Sequence, residues 1–208
     1  MPYEKKISEF LVEAASASPT PGGGNVSAVV SSLGASMISM VGNLTINKKG
    51  YEEYHGQAQE IVNTVMKDIE ELKELTRQDI AAFDEYMKCF RMANNTAEEK
   101  EVRKQAIQTA AKNATIVPLS ICRVCLHLLE QAEVLSHFGN KMAISDVGVG
   151  AYVCEAALRA CMLSVDINIP TIKDDEFVNQ VLKEREWLFQ KAEDLKNKAI
   201  SKVTERIG

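Results

Sequence analysis

Aromatic side chains supply only 6% of this sequence, and no lysine–arginine tract appears along it. Nucleic acid is therefore disfavoured as the main ligand, because phosphates want concentrated positive charge and bases want stacking platforms. The balance of 24 basic and 29 acidic residues gives a formal net charge of −5. There are three histidines, without HExxH or paired spacing, so a metal site finds little support. No serine sits in a GxSxG context, which argues against a nucleophile elbow. No β-like alternation lasts beyond a few residues, and no internal repeat is found. The five cysteines (Cys89, Cys122, Cys125, Cys154 and Cys161) form no dense framework and read as small buried hydrophobes in a reducing compartment. Cys122 and Cys125 lie within the helical pattern SICRVCLHLLE, and His127 points elsewhere, so core packing is favoured over zinc or redox use.

Targeting and membrane signals are also weak. The opening MPYEKKISEFLVEAASASP has only FLV as an apolar centre, flanked by Glu9 and Glu13, which is too short and too charged for a signal peptide. Residues 26–46 are the one membrane-span candidate, but their serines, Asn43 and Thr45 suit a tightly packed soluble helix. A cytoplasmic protein that contacts no membrane is expected.

What is present is helix. With 208 residues, 46% hydrophobic and 25% charged, the chain fits a single domain (1–208) with a substantial core. Helices are expected over 5–17, 26–46, 51–94 (breaking once or spanning the molecule), from Thr96, over 145–164 and over 174–206. Thr96 and Glu99 form a capping-box pattern, and Pro118 is expected to kink or divide the helix that contains it. The helix at 26–46 carries an apolar stripe (Val26, Val29, Leu33, Met37, Met40, Leu44). Beside it runs a row of small polar residues (Ser32, Ser36, Ser39, Asn43, Asn47) that lets a backbone or a flat ligand come close. The fold class is all-α, a multihelical antiparallel array with long helices.

Two acids depart from the solvated faces. Asp79 continues the row Leu72, Leu75, Asp79, Phe83 and so faces inward. A buried carboxylate is costly unless paired or used, so Asp79 is either tied to a partner or functional. Asp146 aligns with Val149, Val153, Ala157 and Ala160 in a first helical turn, where complementing the helix dipole is the favoured reading of the isolated position.

The stretch PTPGGGN stands before the small-residue helix. It lacks the Lys-Ser/Thr of a phosphate-binding P-loop, and no strand precedes it as a dinucleotide fingerprint requires. Glycines there permit positive φ and close backbone approach, and free N–H groups at the helix start favour an anion or carbonyl. At the other end of the helix, Lys48 and Lys49 suit its dipole and are within reach of an acidic ligand.

The run SASPTPGGGNVSAVVSSLGASMISMVGNLTINKKGYEE resembles the opening of the formiminotetrahydrofolate cyclodeaminase and methenyltetrahydrofolate cyclohydrolase family. The resemblance continues through Asp79-x-x-Ala82-Phe83, GNKMAISDVGVGAYVCEAALRA and INIPTIKD, over about residues 5 to 175. Asn25 stands where many members have serine. The resemblance implies an all-α homodimeric enzyme acting on folate one-carbon units, in a stand-alone form without a formiminotransferase domain. It implies hydrolysis of 5,10-methenyltetrahydrofolate to 10-formyltetrahydrofolate, cyclisation of 5-formiminotetrahydrofolate with release of ammonia, or both. Neither reaction requires a metal or redox cofactor. Asp79 and Asp146 are then the candidate acid–base groups. Asn43 and Asn140 are candidate donors to the pterin or the tetrahedral oxygen, and Lys48 and Lys49 candidate contacts for the glutamate tail. Pro21, Gly22, Gly23 and Gly24 are candidate main-chain walls. The competing readings are a non-catalytic dimeric helical module and a helical phosphate-binding enzyme.

Overall fold

Six α-helices carry the described residues: α1 (Ile7–Ala14), α2 (Gly23–Ile46), α3 (His55–Cys89), α4 (Ala97–Phe138), α5 (Ile144–Asp166) and α6 (Asp175–Ile207). The computed structural model describes residues 2–208, and no strand occurs among them. Helices α2 to α5 form an antiparallel four-helix ring, and α6 lies in the groove between α4 and α5. Short connections dictate this order, since a chain turning within a few residues must send the next helix back along the last. Cross-helix contacts fix the directions. Asn25 and Gly42 of α2 meet Asp79 and Val62 of α3, while Pro118 and Cys122 of α4 meet Cys161 and Leu158 of α5.

The core is made of Leu, Ile, Val, Ala and Cys from the inward faces, with Ile38, Leu72, Leu128 and Leu158 fully buried. All five cysteines are free and buried, and burial pushes the Cys154 thiol up to about 12, so they act as apolar filler. Helix α2 enters the core on its small side. A Cβ on Gly34 would stand 2.9 Å from Cys154 Sγ, and one on Gly150 of α5 only 2.7 Å from Ile38, so the two backbones cross closer than side chains permit.

Several expectations change. Helix α2 begins at Gly23 rather than after the glycines, with Gly22 as its N-cap. None of Gly22, Gly23 and Gly24 has positive φ; among glycines that is confined to Gly50 and Gly208. The apolar stripe of α2 is not the face that the ring buries, for Leu33 is 57% and Leu44 46% exposed. Helix α3 spans the molecule unbroken, starting at His55 after a 3-10 turn. Pro118 does not divide α4, which continues as one helix for 42 residues. The carbonyl that Pro118 leaves without a helical donor is that of Ala114, and Asn168 Nδ2 donates to it at 2.9 Å. The Thr96–Glu99 capping box is present, with both hydrogen bonds at 3.1 Å.

Among the described residues, three segments are long and apolar enough to cross a membrane: α2, α4 and Lys141–Thr171. About half of each apolar window is buried inside the bundle.

Candidate active site

One end of the ring holds a cleft of about 420 Å³, within the range of small-molecule sites. Four elements meet there. The turn before α2 and its first residues give Pro19, Gly22, Gly23, Gly24 and Asn25; α3 gives Asp79, Phe83 and Tyr86; α4 gives Ala114; the end of α5 and the residues after it give Ser164, Ile167 and Asn168. Pro21, buried beside this wall, follows a cis Thr20–Pro21 peptide.

Asp79 is where the row on α3 leaves the core. Leu72 and Leu75 above it are buried, whereas Met87 and Phe90 beyond it are exposed. Its carboxylate lies against the start of α2, where Asn25 Nδ2 donates to Oδ2 at 2.8 Å. No ion pair to it occurs among the described residues. Burial raises its pKa to about 6, and the Asn25 hydrogen bond offsets part of that rise. A carboxyl poised there can take or give a proton near neutrality, as general acid–base chemistry requires. The inward reading of Asp79 therefore holds, with an amide rather than an arginine as its partner.

Close approach explains Gly24. A Cβ at this position would lie 2.8 Å from Asp79 Oδ2 and 3.2 Å from its Cγ, an overlap real side chains do not sustain. Gly22 and Gly23 are looser, with nearest contacts of 3.5 Å.

The other sequence candidates lie at the far end of α2. At 1.5 Å per residue its length is about 36 Å, too long for one folate-sized ligand to touch both ends. Asn43 is exposed and donates to the Ser39 carbonyl at 3.0 Å. Lys48 and Lys49 are exposed in the turn beyond. Asn140 is buried and spends its amide on the fold, donating to the Leu44 carbonyl at 2.9 Å and accepting from Met142 N–H at 3.1 Å. Asp146, half-buried in the first turn of α5, belongs to this end as well. Within one chain the structure thus gathers Pro21, Gly22, Gly23, Gly24 and Asp79, and separates them from Asn43, Lys48, Lys49, Asn140 and Asp146.

Sequence reasoning missed Tyr86, Ser164 and Asn168 as cleft residues. For Asn168 a signal existed, because Pro118 orphans a carbonyl four residues earlier and some donor has to meet it. Among the described residues no group of three or more His, Cys, Asp and Glu side chains could hold a metal ion.

A family model described as formiminotransferase-cyclodeaminase matches residues 6–187. The chain belongs to this family. It is 37% identical over 208 residues to a methenyltetrahydrofolate cyclohydrolase of Methylorubrum extorquens, covering 100% of both chains. It is 32% identical to the formimidoyltransferase-cyclodeaminase of Gallus gallus, covering 83% of this chain but 32% of that longer one. The crystal structure of formiminotetrahydrofolate cyclodeaminase from Thermotoga maritima superposes with a TM-score of 0.89 at 30% identity, covering 99% of each chain. The likeness to the cyclodeaminase fold therefore covers 99% of this chain.

Proposed function

We propose that the cleft binds a tetrahydrofolate one-carbon derivative and that Asp79 is its acid–base group. The observation that carries this reading is a half-buried carboxyl with a pKa of about 6, facing a cleft walled by Phe83, Tyr86 and glycine backbone. In the hydrolytic direction, water adds to the cationic carbon between N5 and N10 of 5,10-methenyltetrahydrofolate, and the ring opens to 10-formyltetrahydrofolate. Ionised Asp79 accepts the proton of the attacking water and offsets the substrate's positive charge. In the cyclising direction, N10 attacks the formimino carbon on N5 and ammonia leaves; the same carboxyl takes the N10 proton. Protein side chains suffice for both, without metal or redox cofactor. The full-length likeness to a cyclohydrolase favours methenyl hydrolysis as the principal activity.

A homodimer belongs to this reading. On α2, Leu33 and Leu44 are exposed and Val26, Val29 and Met37 half-buried, with Met40 packed on the core; on neighbouring α5, Val149, Tyr152 and Leu163 are substantially exposed. Two helices side by side over this length offer roughly 700 Å² in plan, near the ~800 Å² per partner of a stable interface. Pairing these faces about a two-fold axis perpendicular to α2 runs the two α2 helices antiparallel. Asn43, Lys48, Lys49 and Asp146 of one copy then approach the glycine–Asp79 end of the other.

The test follows near-ultraviolet absorbance of 5,10-methenyltetrahydrofolate at a pH where spontaneous hydrolysis is slow, and ammonia release from 5-formiminotetrahydrofolate in parallel. Acceleration of the first supports the cyclohydrolase and of the second the cyclodeaminase. Acceleration of neither rejects the reading.

A further inference from the structure

We infer that Asn25 is a positioning residue for Asp79, its side-chain amide holding one carboxylate oxygen so that the other faces the cleft. The inference rests on the reading of Asp79 as the acid–base group and assigns the machinery that aims it. Asn25 is 1% exposed, and every hydrogen-bonding group of its side chain except one lone pair is engaged. Its Oδ1 accepts from the Gly22 N–H at 3.1 Å, closing the first turn of α2 as a capping box does. Its Nδ2 donates to the Thr76 carbonyl on α3 at 3.4 Å and to Asp79 Oδ2 at 2.8 Å. One amide thus joins the helix N-cap, the α3 backbone and the carboxylate.

That arrangement does what a positioning residue must. The amide cannot rotate without breaking the Gly22 bond, so its donor points at Asp79 in a fixed direction. With Oδ2 taken by Asn25 and no other hydrogen bond to the carboxylate among the described residues, Oδ1 is left for a ligand. The absence of a Cβ on Gly24 lets the carboxylate sit deep enough to be reached.

The electrostatics follow from the same contact. Desolvation pushes the Asp79 carboxyl up, and the Asn25 hydrogen bond is the one influence that lowers it. No cation assists. On α5 the nearby titratable group is Cys161, whose thiol a hydrogen bond with Cys122 and burial push up, so it stays neutral. Removing the Asn25 donor leaves desolvation unopposed.

Asn25→Ala is the discriminating variant, because it removes the donor to Asp79 without placing a second ionisable carboxyl beside it. The carboxyl of Asp79 is followed by ¹³C NMR titration in wild type and variant without substrate, and kcat for methenyl hydrolysis is compared at pH 6 and pH 8. The expected result is a midpoint raised by about one pH unit or more, with kcat falling at least about fivefold more at pH 6 than at pH 8. An unmoved midpoint with equal loss at both pH values overturns the inference, since it describes a merely structural asparagine. If the variant does not fold, wild type decides: the Asn25 side-chain amide resonances follow the Asp79 titration, and their indifference to it contradicts the inference. A wild type that shows this titration yet hydrolyses no methenyl compound rejects the folate reading and leaves the positioning contact standing.

Discussion

The carboxylate of Asp79 sits so close to Gly24 that a Cβ there would lie 2.8 Å from Oδ2. The glycine-rich start of α2 is therefore the cavity wall against which the acid–base group is pressed: Gly24 makes room for it, and Asn25, tied to the Gly22 N–H, holds one of its oxygens.

Substitutions along PGGGN should differ sharply. Gly24→Ala forces Asp79 aside and is expected to lower kcat at least tenfold. Gly23→Ala meets nothing nearer than Ser164 Oγ at 3.5 Å and gains helix propensity, so stability holds or rises by up to about 1 kcal/mol. Steady-state kinetics and thermal melts of the two variants check this; equal kinetic losses at both positions contradict it.

Asp79→Asn should trade activity for stability. The folded pKa of about 6 stands above the ordinary 3.8, so the native state holds this proton more tightly than the unfolded chain. The associated stability is full below about pH 4 and is lost as pH rises through 6. A neutral amide escapes that loss, so at pH 8 the variant is expected to be more stable by about 2 kcal/mol. The advantage disappears below pH 4, and urea unfolding at both pH values measures it.

His127 is expected to be structural. Its Nδ1 lies 2.9 Å from Oδ2 and 3.0 Å from Oδ1 of buried Asp68, whose pKa burial raises, and the pair ties α4 to α3 away from the cleft. His127→Ala strands a buried carboxyl and should cost about 1–3 kcal/mol while leaving kcat per folded molecule unchanged. A large loss of kcat in a stable variant would assign the pair to the chemistry.

Much of this was legible in the sequence, for identifiable reasons. Helical spacing alone put Asp79 on an inward row, and the Thr96–Glu99 box marked a helix start. The glycines of PGGGN suggested a loop because their helix propensity is poor, yet the approach of Asp79 and the Asn25 amide hold them in helix. The stripe from Val26 to Leu44 has core periodicity but faces out, because a period records an apolar face without saying which surface covers it. Resemblance brought Asn43, Lys49 and Asp146 forward as residue types, and sequence cannot show that they gather at the far end of α2, roughly 30 Å from the glycines.

Subunit mixing tests the antiparallel dimer. With Asp79→Asn and Asp146→Asn each inactive, co-expressed chains form heterodimers in which one site carries both substitutions and the other carries neither. Random pairing then restores about a quarter of wild-type activity, since half the dimers are mixed and half their sites are intact. Lys49→Ala is expected to raise KM for long-tailed folates more than for the monoglutamate. No restoration on mixing, or a monomer in sedimentation, contradicts the shared site.

The most direct measurement is the absorbance decay of 5,10-methenyltetrahydrofolate with wild type and with Asp79→Asn, each shown to be folded. The account predicts rapid hydrolysis by wild type, falling on the acidic side with a midpoint near pH 6 as Asp79 is protonated, and at least tenfold slower hydrolysis by the variant. Wild-type turnover by folded Asp79→Asn would contradict it.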